Sequence, residues 1–292
     1  MDTAKPPVGL IGLGLMGRPM ALNLMDAGYP VVGHNRSRAV VDDLAAQGME
    51  PADGPAAVAA KADTIILMLT DTPAVRAVME SLLGALRPGS LVIDMGTTAV
   101  TATRDLADQV KAAGAAWVDA PVSGGQVGAE AGTLSIMCGG AEADVARAMP
   151  LFDVLGGRVT HVGPVGAGQV AKAANQVIVG LTIGAVAEAL TLARRAGVDP
   201  AKVRQALTGG FADSRILDLH GRRMVDGDFT PGGRATVQRK DMQQALDLAA
   251  ALGLDLPATT LNRDLYDRLI AQGDGDLDHS ALIRAIDRDG DG

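Results

Sequence analysis

A doubly wound, mostly parallel α/β domain followed by an all-α domain is the fold that three observations predict. Short β-rich runs alternate with helical stretches from Val8 to His161, no β pattern follows His161, and one long apolar segment, Gly166 to Arg195, stands between the two regimes. With 292 residues the chain is long enough for two domains. They are drawn here as 1–163 and 164–292, joined by a helix over about 167–195. Only 2% of residues are aromatic against 48% hydrophobic, so the cores must be built from Ala, Val, Leu, Ile and Met.

The first strand, Val8 to Ile11, runs into Gly12-Leu13-Gly14-Leu15-Met16-Gly17 and then a helical pattern as far as Ala27. Strand, glycine turn and helix in that order form the context of a dinucleotide fingerprint. Gly12 permits the tight turn, Gly14 lets a pyrophosphate approach the backbone, and Gly17 lets helix and strand pack closely. The phosphate rests on N–H groups at a helix N-terminus. A purely structural glycine turn is the competing reading.

Pro30 to His34 is the second strand and ends in Asn35-Arg36-Ser37-Arg38. An NAD-preferring site places an acidic residue here for the ribose 2′-hydroxyl. Two arginines and a serine stand there instead, and a guanidinium fork suits a 2′-phosphate. NADP(H) is therefore the expected cofactor, with NAD(H) possible, and Asn35, Arg36 and Ser37 are its expected contacts. An exposed basic turn is the alternative.

Thr64 to Leu69 and Ser90 to Asp94 are the next strands, followed by the polar loops Thr70-Asp71-Thr72 and Met95-Gly96-Thr97-Thr98. Ligands of a doubly wound sheet bind beyond the carboxyl ends of its strands, so Met68, Leu69, Thr70 and Thr97 are expected to line the cofactor groove. Trp117 to Pro121 and Leu134 to Met137 read as strands flanking Val122-Ser123-Gly124-Gly125. There two glycines expose N–H groups beside a hydroxyl, an arrangement suited to a carboxylate; a hairpin-type turn is the alternative. Val159 to His161 is the last strand, with the domain boundary near Gly163-Pro164.

The long segment is broken off by Gly166-Ala167-Gly168 before it and by Gly197 and Pro200 after it. Gln169, Lys172, Asn175 and Gln176 share one helical face, while Val177 to Leu192 is apolar nearly all round. A lysine and amides at the head of a buried helix need partners. A ligand is one answer, and a lysine that snorkels to solvent is the other. The segment approaches transmembrane length, but Lys172, Asn175, Gln176 and Glu188 make it read as a buried helix of a soluble protein. Beyond Asp199 the pattern is helical near 200–208, 212–226, 236–253 and 257–272.

A net charge of −8 and a pI near 5.0 argue against nucleic-acid or membrane partners. The single cysteine, Cys138, excludes an internal disulfide and a cysteine metal cluster, and suits a reducing cytoplasm. It reads as a buried small apolar residue. His34, His161, His220 and His279 are scattered without paired ligand spacing, so no metal site is expected. The opening MDTAKPP lacks a basic n-region, so no signal peptide is expected. The tail Asp287 to Gly292 imitates the start of an EF-hand loop but stops before its glutamate, and reads as a solvated acidic tail.

GLIGLGLMGRPMALNL, DAPVSGGQVGAEAGTLSIMCGG, GAGQVAKAANQVIV and RKDMQQAL follow one another in the order found in β-hydroxyacid dehydrogenases. Over nearly its whole length the chain resembles that family, which includes 3-hydroxyisobutyrate dehydrogenase and, as a larger relative, 6-phosphogluconate dehydrogenase. ANQVIV, AEALTLARRAGVDP and DHSAL look most like its tartronate semialdehyde reductase branch. The resemblance implies an oxidoreductase with an N-terminal Rossmann domain and a helical C-terminal domain. It implies a small carboxylate-bearing aldehyde or hydroxyacid as substrate, and a homodimer or homotetramer.

The family's acid/base lysine, in its GxxxKxxxN motif, falls on Lys172, with Gly168 four residues before it. Its substrate-holding asparagine falls on Asn175, and Gln176 merely occupies the next position. Its SGG turn, which binds the substrate carboxylate, falls on Ser123, Gly124 and Gly125. The lysine of its KD motif, which closes over the active site, falls on Lys240 and is expected to touch both substrate and cofactor. As a base in oxidation Lys172 would benefit from a pKa below the usual value of about 10.4. Two departures lie on the cofactor side: Thr70 where the family usually has Pro, and Gly96 where it usually has Ser. Imine reductases, which generally lack the lysine, and a non-catalytic NADP-binding module are both disfavoured by Lys172, the latter also by Asn175 and Lys240.

Overall fold

The computed structural model describes residues 4–287, so the readings placed on Met1 to Thr3 and on the tail after Asp287 lie outside the described residues. The chain divides into two compact units, the first ending at Lys172 and the second beginning at Ala173.

The strands of the first unit are β1 (Val8–Ile11), β2 (Val31–His34), β3 (Glu50–Pro51), β4 (Thr64–Leu67), β5 (Leu91–Asp94), β6 (Ala116–Asp119), β7 (Val122–Ser123), β8 (Leu134–Gly139) and β9 (Gly156–Gly163). They form one sheet in the order β3-β2-β1-β4-β5-β6-β8-β7, with β9 beside β8. From β3 to β6 every pairing is parallel; β8 runs antiparallel to β6 and β7 and parallel to β9. The central strands are unbroken apolar runs because both their faces are covered. Alternation sends Leu10, Ile66 and Ile93 to one face, against Met20 and Leu24 of α1 (Gly17–Asp26) and Phe152 of α7 (Glu142–Leu155). It sends Ile65, Leu67 and Val92 to the other, against Val75 and Met79 of α4 (Thr72–Leu82) and Leu106 of α5 (Val100–Ala112). The strand order reverses between β1 and β4, which opens a crevice beyond their carboxyl ends.

Details of the loops and of the long helix bear on the sequence reading. β4 stops at Leu67, two residues early, because Asp71 turns the chain into α4 by accepting the Ala74 N–H at 2.8 Å. The stretch around Ser123 is no hairpin turn: β7 ends there and a short helix, α6 (Gly125–Glu130), begins. The long helix α8 (Ala167–Arg195) covers the expected span, with Gly166 at φ +88° just before it and Gly168 inside its first turn. Its first turns, as far as Lys172, belong to the first compact unit.

The second unit contains the rest of α8 and α9 (Pro200–Leu207), α10 (Arg215–Asp226), α11 (Ala235–Ala251), α12 (Pro257–Ala271) and α13 (Leu282–Ile286). Among its described residues there is one isolated β-bridge, Arg234 with Asp278, and no strand. Its core packs Ile183, Ala187 and Leu190 of α8 against Leu217, Met242, Tyr266 and Leu269. α8 is long and apolar enough to cross a membrane by length and composition, and these buried contacts are those of a core helix.

Here the fold corrects the expectation of four scattered histidines. His220 and His279 pack edge to face, with their Nε2 atoms 3.2 Å apart. With Asp278 they offer metal-ligand atoms within 4.8 Å of one another. Asp278, however, is fully committed to the protein: it accepts the N–H groups of Gly232, Gly233 and Ser280 and the Ser280 hydroxyl, and Arg223 lies 2.7 Å away. With its charge met by a guanidinium, the cluster reads as a latch that ties the loop before α11 to the 278–280 turn.

Candidate active site

The three glycines after β1 have different reasons to be glycine. Gly12 has φ +99°, and a Cβ there would lie 2.2 Å from the Met68 carbonyl oxygen. A Cβ on Gly17 would lie 1.8 Å from the Gly12 carbonyl oxygen. A Cβ on Gly14 would meet nothing within 4 Å. Protein packing accounts for the first and last but not the middle one, which faces open space where a ligand's phosphate would approach. α1 begins without a side-chain cap and with no acidic residue in its first turn, so its N-terminal dipole remains available to an anion.

The loop's other residues divide between support and exposure. Leu13 is 1% exposed and its N–H donates to Asn35 Oδ1 at 3.1 Å. Asn35 also donates to the Ser37 carbonyl at 3.3 Å. Leu13 and Asn35, expected to touch the cofactor, thus also hold the glycine loop to the end of β2. Leu15 is exposed and Met16 half-buried beside them. The two arginines after β2 also separate. Arg38 pairs with Asp42 at 2.8 Å and Asp53 at 3.2 Å, and its hydrogen bond to Asp42 raises its pKa further. Arg36 is exposed, beside the exposed Ser37, and makes no ion pair among the described residues.

Beyond β4 and β5, Met68 and Leu69 are half-buried and Thr70 is exposed. Asp71 caps α4, and the Thr72 hydroxyl accepts the Ala99 N–H at 2.9 Å, which ties the two loops together. Buried Asp94 accepts the Gly96 N–H at 3.1 Å and the Thr98 hydroxyl at 2.6 Å, so Thr97 is held at the crest of a small turn. The two departures from the family pattern adjoin each other here. A Cβ on Gly96 would lie 2.7 Å from the Leu69 carbonyl oxygen, one residue before Thr70.

Lys172 is only 7% exposed, and its Nζ donates to the Val122 carbonyl at 2.8 Å. It does not snorkel to solvent. The carbonyl it meets immediately precedes Ser123-Gly124-Gly125, and Gly124 and Gly125 have φ of +138° and +61°. The ammonium and the candidate carboxylate-binding turn are therefore brought together. The helix that carries the lysine is capped from a distance: Asp119, at the end of β6, accepts the Gly166 N–H at 2.7 Å and the Gln169 N–H at 3.0 Å. Burial pushes the Asp119 carboxyl up, against the pull of those N–H groups and that of Gly168. Gly168 permits this approach, since a Cβ there would lie 2.4 Å from the Met137 carbonyl oxygen.

In the second unit Asn175 donates to Gln176 Oε1 at 2.7 Å, and Lys240 Nζ lies 2.8 Å from Asp241 Oδ1. Gln176 does more than occupy the next position. It is buried and donates to Asp241 Oδ2 at 2.7 Å and to Gln238 Oε1 at 3.1 Å, tying α8 to α11.

Comparisons with known proteins show the family. Residues 7–163 match the family described as the NAD binding domain of 6-phosphogluconate dehydrogenase, and residues 166–286 the one described as NAD-binding of NADP-dependent 3-hydroxyisobutyrate dehydrogenase. The chain is 45% identical over 287 residues to the 2-hydroxy-3-oxopropionate reductase of Escherichia coli K12, covering 96% of this chain and 97% of that protein. It is 37% identical to a probable mitochondrial 3-hydroxyisobutyrate dehydrogenase-like protein of Arabidopsis thaliana, over 96% of this chain and 85% of that one. Among solved structures, the Mycobacterium tuberculosis 3-hydroxyisobutyrate dehydrogenase with L-serine superposes with a TM-score of 0.88 at 33% identity, covering 97% and 99% of the two chains. A Pseudomonas imine reductase, at TM-score 0.67 and 22% identity, shares the fold alone.

Proposed function

The chain belongs to the NAD(P)-dependent β-hydroxyacid dehydrogenases, and from that premise we propose that it reduces tartronate semialdehyde (2-hydroxy-3-oxopropionate) to glycerate with NADPH. The observation that carries the chemistry is the buried Lys172 ammonium hydrogen-bonded beside the Ser123-Gly124-Gly125 turn. The substrate choice is supported by the Escherichia coli reductase, whose likeness extends over almost the whole of both chains.

When bound, the cofactor supplies the hydride. The chain's own residues do the rest. Ser123 and the N–H groups of Gly124 and Gly125 hold the substrate carboxylate. Lys172 gives its proton to the carbonyl oxygen as negative charge develops there, and its positive charge stabilises the alkoxide. Gly12 to Gly17 hold the pyrophosphate at the head of α1, with Met68, Leu69, Thr70 and Thr97 along the groove. Arg36, exposed and without an ion pair among the described residues, takes the 2′-phosphate with Ser37, which makes NADPH the preferred cofactor. Asn175 and Lys240 stand as substrate contacts, and Lys240 as a cofactor contact, on their motifs alone. A homodimer or homotetramer completes the reading, supported by the exposed Ile178 and Leu192 of α8. So does a cytoplasmic location, supported by the unpaired Cys138.

A rate panel tests the reading, with NADPH and NADH against tartronate, methylmalonate and succinic semialdehydes. NADPH with tartronate semialdehyde should be fastest. Methylmalonate semialdehyde as best substrate would instead favour a 3-hydroxyisobutyrate dehydrogenase, the activity named for the Arabidopsis relative. Lys172→Ala should keep NADPH binding and lose about 10²- to 10⁴-fold in kcat, the usual share of a general acid. An unchanged kcat would remove Lys172 from the mechanism.

A further inference from the structure

We propose that Gln169 is a positioning residue that couples the cofactor loop after β5 to the proton-donating lysine; the inference rests on the reading of Lys172 given above. Gln169 is 2% exposed, and its side-chain amide reaches one part of the site while its backbone N–H reaches another. Its side-chain Oε1 accepts the Thr98 N–H at 3.1 Å, and its Nε2 donates to the Gly96 carbonyl at 3.0 Å. One primary amide thus brackets Thr97 by gripping the backbone on either side of it. Its own N–H donates to Asp119 Oδ2 at 3.0 Å, which fixes the residue to the end of β6.

Lys172 follows three residues later on the same helix. That offset is a little under one turn, a rise of about 4.5 Å, and it places the two side chains on one face. The Lys172 Nζ is held in turn by the Val122 carbonyl. The connections form one short chain of bonds: Thr97 turn, Gln169, the first turn of α8, Lys172, Val122. An amide suits the linking position because it donates and accepts at once. A carboxylate would set oxygen against the Gly96 carbonyl, and an apolar side chain would strand two buried backbone groups. Displacement of the Thr97 turn when cofactor enters or leaves therefore bears on the first turn of α8, and so on where the ammonium stands.

Three measurements on the full chain test this. Fluorescence titration of Gln169→Leu should give an NADPH Kd weakened by about tenfold. Single-turnover hydride transfer at saturating NADPH should slow by about tenfold, with a displaced pH limb of kcat, while thermal melting shows a folded protein. The Lys172→Ala/Gln169→Leu double variant should be no slower than Lys172→Ala alone, because the glutamine acts through the lysine. If Gln169→Leu lowers the melting temperature but leaves Kd, the single-turnover rate and the pH limb at wild-type values, the residue is structural only and the coupling is wrong. If Lys172→Ala turns over normally, it is the reading of Lys172 that fails.

Should Gln169→Leu not fold, hydrogen exchange on the wild type and on Gln169→Glu decides. NADP+ should slow exchange of residues 96–98 and 167–172 together in the wild type. Protection of the two segments should part in the glutamate variant. Protection confined to 96–98 in the wild type would overturn the coupling.

Discussion

Asp119 and Asp278 are buried carboxylates doing the same kind of work, one in each unit, yet their surroundings push them in opposite directions. Asp119 accepts backbone N–H groups at the head of α8 and makes no ion pair among the described residues, and burial drives its pKa up. Asp278 is opposed by burial too, but His220, His279 and Ser280 carry it well below the ordinary carboxylate range, and Arg223 adds a guanidinium at 2.7 Å. Both accept several hydrogen bonds. What separates them is a partner of opposite charge, which repays desolvation as neutral N–H groups do not. The latch of the second unit is built as an ion cluster. The support beneath the proposed proton donor is built from dipoles, which adds no cation to the neighbourhood of a lysine that must hold and release its proton.

The largest expected effect comes from removing charge while keeping shape. Asp278→Asn leaves Arg223 facing a neutral group and should cost about 3 kcal/mol, the penalty for breaking a buried pair. Asp119→Asn loses one acceptor and no ion pair, and should cost about 1 kcal/mol. Urea unfolding followed by circular dichroism at pH 7 measures both. A larger loss for Asp119→Asn than for Asp278→Asn would break the comparison.

That contrast also marks how far the sequence could be read. The sheet was legible because its evidence is local: Ile65-Ile66-Leu67 and Leu91-Val92-Ile93 are continuous apolar runs, and the glycine loop spells its own turn. Lys172 was marked as a candidate by its motif and its place on a long apolar helix. Its surroundings were not legible. The cap of α8 comes from Asp119, 47 and 50 residues before the groups it accepts, and no periodicity reports a bond of that span. His220 and His279 are 59 residues apart and meet only because α10 packs beside the 278–280 turn. Arg36 and Arg38 look equivalent until Asp53, 15 residues on, joins Asp42 in holding Arg38. Leu13 lies inside the fingerprint, yet its side chain belongs to the core. Wherever a residue's role depended on a partner distant in sequence, composition and spacing were silent.

The next effect is a difference in pH dependence. A depressed folded pKa means that Asp278 contributes stability fully above its unfolded value of about 3.9, and that this is lost as pH falls below it towards the folded value. A raised folded pKa means the reverse for Asp119: its contribution is present below about 3.9 and is lost as pH rises through the folded value. Urea midpoints between pH 3 and 6 should therefore draw closer, without meeting, for wild type and Asp278→Asn as pH falls below about 4. For Asp119→Asn they should converge nowhere in that manner; the variant instead loses a decline that the wild type shows on rising pH. Parallel curves for all three proteins would mean that neither carboxylate is perturbed.

The smallest effect is also the most local reading of the Asp119 charge. Cys138 is buried on β8 and its thiol is pushed up to about 11, first by burial and then by the charge of Asp119. At pH 8 its thiolate is on the order of one part in a thousand, against roughly a quarter for an ordinary cysteine of pKa about 8.5. Alkylation of the native protein should be about 100-fold slower than in urea. The pH profile of that slow reaction then separates two versions of Asp119. If the carboxylate is ionised in the folded protein, Asp119→Asn removes a negative charge near the thiol, and the apparent pKa should fall by a few tenths of a unit. If burial has already kept the carboxyl neutral, the profile should not move, and the contrast with Asp278 becomes one between an uncharged and a charged support. Asp278→Asn is the control, since Asp278 is not among the groups that shift the thiol.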